Sequence, residues 1–218
     1  SSTVTMTVMA SVAVGQRVIV AVMSSVGGRV LSSVTDSAGN TYSIDVTNTG
    51  TSSINTWIAS AEVTSGLTIA ISSITATFAD SVSSVRKMGA LQVSGIDHAS
   101  PVEGTSTKTE NQTSWETGTV TTTTANTLQV GAASILTAQT STAAGGSTEA
   151  YDLSANSRGF AVNWRVDETT GTREISGTWN AAQSYRGALA VYRAAAAGLS
   201  AVIGQVSDTA TAQAISRV

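Results

Sequence analysis

The sequence predicts an all-β protein: a two-sheet antiparallel β-sandwich of jelly-roll-like form over residues 1–193, followed by an extended C-terminal tail over residues 194–218. Three observations carry this. Apolar and polar residues alternate from end to end, the period of two that sends successive side chains to opposite faces of a strand. Ser and Thr supply about three residues in ten while charged residues supply 11 %, and β-branched Thr suits a pleated, half-buried surface kept wet by hydroxyls. The breaks between alternating runs hold turn chemistry, with Gly where a positive φ is expected.

Taken in order, strands are expected at residues 3–10 and at 17–23, the most apolar early stretch. A third (29–35) and a fourth (41–46) flank the turn Asp36-Ser37-Ala38-Gly39-Asn40. The fifth (55–63) and sixth (67–78) flank Thr64-Ser65-Gly66, and the seventh covers 85–93. Residues 95–114 read as a long loop holding the sole proline, Pro101, and the sole histidine, His98. Strands at 116–123 and 127–137 precede a second long loop, 138–148. In the run 160–167, Phe160, Val162, Trp164 and Val166 share an inward face, with Asn163, Arg165 and Asp167 on a wet one. The turn Glu168-Thr169-Thr170-Gly171 leads to strands at 172–179 and 185–193. A dozen strands at short spacing suit a two-sheet sandwich. Loops as long as the two above are where binding is sought first. Beyond Arg193 the pattern lapses into Ala194-Ala195-Ala196-Ala197-Gly198 and scattered apolar residues. This reads either as linker and tail or as a last strand or short helix packed back on the sandwich.

Composition removes several function classes. Two lysines and a net charge of −3 leave no basic stripe for a phosphate backbone, so nucleic acid is not an expected partner. With no cysteine there is no disulfide framework, thiolate metal site or cysteine nucleophile. No apolar run approaches the roughly 18 residues that span a bilayer as a helix, so membrane insertion is not expected. The Thr/Ser/Gly-rich, charge-poor surface suits an extracellular or virion setting, and a start at Ser1 without Met fits a removed leader or a position inside a longer polypeptide.

Val34-Thr35-Asp36-Ser37-Ala38-Gly39-Asn40-Thr41-Tyr42, Trp57-Ile58-Ala59, Leu91-Gln92-Val93-Ser94-Gly95-Ile96-Asp97 and Ser100-Pro101-Val102 resemble a family of β-sandwich modules. That family occurs in large bacterial secreted or surface proteins and in phage structural proteins. Residues 120–130 and Ala188-Leu189-Ala190-Val191-Tyr192-Arg193 are similar to its later strands, so the resemblance covers residues 1–193. The segment 204–215 looks like a junction motif of phage structural polypeptides, with Ala214 where a proline is more familiar. The resemblance implies a virion or surface building block, and it carries no catalytic residues onto this chain.

Candidate sites are few. The Asp36–Asn40 turn offers oxygen donors but a single carboxylate, where a calcium loop uses several, so an Asx turn explains it and no metal or other cofactor is expected. Asp97, His98 and Glu103 form the densest ionisable cluster in the sequence. Asp97 and His98 are therefore candidate ligand-binding residues, with a solvated loop as the plain reading. Trp115 lies in the polar stretch Asn111-Gln112-Thr113-Ser114-Trp115-Glu116. It either presents its ring to a sugar or partner or caps the core where a loop enters a strand. Trp57, Trp164 and Trp179 sit on alternating patterns and read as core. Ser84-Val85-Arg86-Lys87 matches Ser-x-x-Lys in form only, because on a strand Ser84 and Lys87 face opposite sides. No Gly-x-Ser-x-Gly elbow exists to pair with His98, and nothing marks two of the fourteen acids as a glycosidase pair.

The expectation is a non-enzymatic structural component of a phage particle (capsid decoration, tail or fibre) or related extracellular assembly. It would self-associate and bind other virion or surface proteins, tethered by Leu199, Val202, Ile203, Val206 and Ile215 of its tail. The alternative is a surface adhesion or carbohydrate-binding module contacting cell-surface glycans; a hydrolase ranks last.

Overall fold

The computed structural model describes residues 3–50, 54–80, 85–196, 198–199 and 201–209, the last segment through its backbone alone. Among the described residues there are sixteen strands and no helix, and every strand pairing is antiparallel. Two large sheets make the sandwich. One has the order β16 (Ala201–Thr209), β7 (Arg86–Ser94), β2 (Arg17–Ser24), β5 (Asn55–Glu62), β4 (Ser43–Asn48). The other runs β8 (Val102–Glu116), β15 (Ser176–Arg193), β10 (Thr127–Ile135), β13 (Gly159–Asp167), β12 (Thr148–Asp152), with β11 (Ser141–Ala144) on the first part of β15.

Their facing sides interlock Ile19, Ala21, Ile58 and Leu91 with Val130, Phe160, Val162 and Tyr192. Each large sheet is also covered on its outer side. The three-stranded sheet β1 (Thr3–Thr7), β6 (Ser73–Phe78), β3 (Leu31–Asp36) packs Met6, Val34 and Ile74 onto Val18, Val20, Trp57 and Met88. On the far side, the pair β9 (Val120–Thr122) and β14 (Gly171–Arg173) accompanies a third core of Trp115, Ile135, Ile175, Trp179 and Leu189. This layering explains why β2 and β10 are buried at every position: strands covered on both faces read as continuous apolar or small-residue runs. The expected wet face of 160–167 is buried in its first half for the same reason, with Ala161 and Asn163 fully covered.

Residues 95–114 and 138–148, expected as loops, contain strands. Val102–Glu116 is a fifteen-residue strand along β15, and Ser141–Ala144 is another. Neither carries an apolar alternation, because β8 is an edge strand with polar residues on both faces. Its Thr residues and its ladder to β15 hold it extended. Conversely, the expected strand at 67–78 begins only at Ser73. Residues before it form a turn in which Ala70 takes φ +59° and Leu67 bridges to Val12.

The β8–β15 ribbon then doubles back on itself. The ladder slips between Thr178 and Gln183, and the part holding Trp115 and Gly177 lies over the part holding Lys108 and Gly187. A Cβ at Gly187 would sit 2.2 Å from the Glu116 carbonyl oxygen, so the absent side chain permits the close approach.

Polar ties bind the two large sheets in register. Tyr192 Oη donates to Asp45 Oδ2 at 2.7 Å, Thr56 and Ser134 hydroxyls meet at 2.6 Å, and Asn48 Nδ2 donates to Gly187 O at 2.8 Å. Tyr151 places its ring against Gly89 and its hydroxyl donates to Ala90 O. Lys87 is fully buried and its ammonium donates to Leu153 O and Arg158 O, which satisfies a charge that burial would otherwise penalise.

Candidate functional site

The segment after Arg193 has a definite course. Ile96 bridges to Ala194, Ala195 N–H donates to Gly95 O at 2.8 Å, and a turn closes with Gly198 N–H on Ala195 O at 2.7 Å. Leu199 packs against the central core. β16 then pairs with β7 from Ala201 opposite Ser94 to Thr209 opposite Met88. The tail is thus not detached over residues 201–209; it completes the edge of the five-stranded sheet. Val202 pairs with Val93 and Ile203 with Gln92, while Val206 falls where the register slips between Gln205 and Ser207. Ile215 lies outside the described residues.

The Asp97–His98 corner adjoins the start of this segment. Asp97 Oδ1 accepts from the N–H groups of Ala99 (2.8 Å) and Ser100 (3.1 Å), and its own N–H donates to Arg193 O at 3.0 Å. Those two backbone donors, Ser100 first, hold the Asp97 carboxyl below its ordinary pKa. His98, half exposed, places Nδ1 2.7 Å from Glu62 Oε1. Glu103 is elsewhere: it accepts from the N–H and hydroxyl groups of Thr123 and Thr124, and these bonds hold its pKa down against the opposing effect of burial. The cluster adjacent in sequence is therefore split: Asp97 staples the β7–β8 corner to the end of β15, and His98 ties it to the end of β5 at Glu62.

A folded-state pKa below 3.8 means that Asp97 stabilises the protein above that pH and loses the contribution as pH falls through the lowered value. Asp97→Asn is expected to lower the melting temperature at neutral pH, with the gap to the parent closing as the pH drops below 3.8. Circular-dichroism melts across that range check it.

Trp115 is fully buried. Its indole N–H donates to Ser141 Oγ at 2.9 Å and its ring lies 6.0 Å from that of Trp179, so no face is offered to a sugar and the core-capping reading holds. Trp57 and Trp179 are core as well, while Trp164 is partly buried at the rim of the central core. In the Asp36–Asn40 turn, Asp36 Oδ1 accepts from Ala38 and Asn40 N–H, and Oδ2 from Asn40 Nδ2 and Tyr42 Oη. Gly39 takes φ +83°, and the carboxylate is occupied by its own turn.

Sequence reading missed the β7 edge as a receptor for the tail. The signal was the apolar spacing of 199–206, but the partner strand lies about a hundred residues away. Compared with protein-family models, with curated proteins and with solved structures, the chain finds no match.

Proposed function

We propose that the protein is a non-enzymatic structural component of a virion or related extracellular assembly, whose copies associate with one another and with neighbouring proteins through the C-terminal strand. The observation that supports this reading is the way β16 completes the β7 edge. It arrives by a separate connector after the sandwich has closed, and two slips in nine residues interrupt its ladder. Such an edge accepts the same strand from another copy with no new chemistry, the logic of strand exchange. The other long edge, β8, is less suited: Lys108 with Glu110 and Glu116 lines it, and edge charges oppose pairing.

The test compares the full chain with one ending at Arg193, by light scattering over a range of concentrations. The full chain is expected to form oligomers that dissociate on dilution. The shortened chain should stay monomeric and bind a peptide of residues 199–209. A full chain that remains monomeric at every concentration sinks the reading. The adhesion alternative loses the residue it leaned on, because Trp115 is buried.

A further inference from the structure

At the β4 end of the five-stranded sheet a cleft of about 380 Å³ opens between the β2–β3 connection, Gly28 to Leu31, and the end of β4, Thr47 to Gly50, with Trp57 at its base. Its walls are fixed. Gly28 N–H donates to Gly50 O at 2.8 Å, and buried Asn55 ties both sides by accepting from Gly50 N–H and donating to Val26 O.

Arg29 lines this cleft and is 3 % exposed. Its Nη1 makes no hydrogen bond, and the acid that faces it among the described residues, Asp80, is 61 % exposed and stands off at 3.4 Å. A second guanidinium lies behind the opposite wall: that of Arg186 packs on Gly50 and, among the described residues, bonds the neutral oxygens Asn48 Oδ1, Thr49 O and Thr109 Oγ1. A third, Arg86, sits over Phe78, which packs edge-on against Trp57, and burial together with the Arg29 charge lowers its pKa. Arginines thus gather around the cleft, with Asp80 beside Arg29, in a chain whose net charge is negative.

The geometry points to a binding site for an acidic sugar of the uronic acid class in this cleft, its carboxylate received by Arg29. A guanidinium suits a planar carboxylate, and Arg29 Nη1 makes no hydrogen bond beyond its long ion pair with exposed Asp80, a partner that a bound carboxylate would replace. The Thr47 and Thr49 hydroxyls offer partners for ring hydroxyls, Val30 and Leu31 present apolar surface to C–H groups, and the volume suits one ring. The site stands whether or not copies associate through β16.

The experiment titrates the full chain with glucuronate, glucose, acetate and inorganic phosphate under ligand-observed NMR. Glucuronate is expected to bind with Kd on the order of 1 mM, the range for one small ligand held by a single charged anchor, and the other three more weakly. Val30→Glu adds an acid at the rim, at a position 59 % exposed, and should weaken glucuronate binding about tenfold or more without affecting folding. Arg29→Met should abolish it, and if that variant does not fold, Val30→Glu carries the test. The assignment is overturned if glucuronate does not bind, if glucose or acetate binds as tightly, if phosphate binds more tightly, or if Val30→Glu leaves glucuronate affinity unchanged.

Discussion

Trp115→Ala is expected to cost about 3–5 kcal/mol of unfolding free energy, the range for removing a large aromatic side chain from a core. The ring is fully buried in the third core beside Trp179, Ile175 and Leu189. Its removal leaves a cavity beneath a ribbon that doubles back and cannot close over it, and leaves Ser141 without the indole donor. Trp115→Phe keeps most of the volume and loses the hydrogen bond, so it should cost about 1–2 kcal/mol. Chemical denaturation measures both. A loss under about 1 kcal/mol for the alanine variant would mean that the ring belongs to an accessible surface and not to a core.

Gly187→Val is the second large effect. A Cβ there meets the Glu116 carbonyl oxygen at 2.2 Å and the Thr117 Cα at 3.1 Å, both backbone atoms that no rotamer change can move aside. Overpacking of that kind costs about 3 kcal/mol or more, because the β8–β15 ribbon must lift off its own sheet. Lifting exposes Trp115, so the variant should combine a lower denaturation midpoint with red-shifted tryptophan emission. Unchanged emission together with unchanged stability would mean that the ribbon does not lie over Gly187.

Strands with one apolar face were legible because their alternation is written locally. Each of the twelve expected runs overlaps a strand of the structure, though the runs 172–179 and 185–193, expected as two strands, share β15. The strand of Thr, Lys, Glu and Asn from Val102 to Glu116 was not legible, since its conformation comes from the ladder to β15 and from no pattern of its own. The candidate residues divide in the same way. The Asp36–Asn40 turn is local, and its hydrogen bonds follow from residue types a few positions apart. Asp97 and Glu103 are near in sequence, yet each is claimed by a different neighbour, and Arg29 follows two glycines with nothing to mark it.

The sequence by itself determined the fold class, the turns and the identity of most core residues, because period, turn chemistry and apolar content act over a few residues. Tertiary structure alone decided that both faces of the two large sheets are covered, that the ribbon bearing Trp115 doubles back, and that β16 closes the β7 edge. It also brought Arg29 into the lining of one cleft and Arg186 behind the opposite wall, though 157 positions separate them (186 minus 29). The physical reason is shared: layer order, strand edges and charge fields depend on which distant segments meet, and no local pattern specifies that.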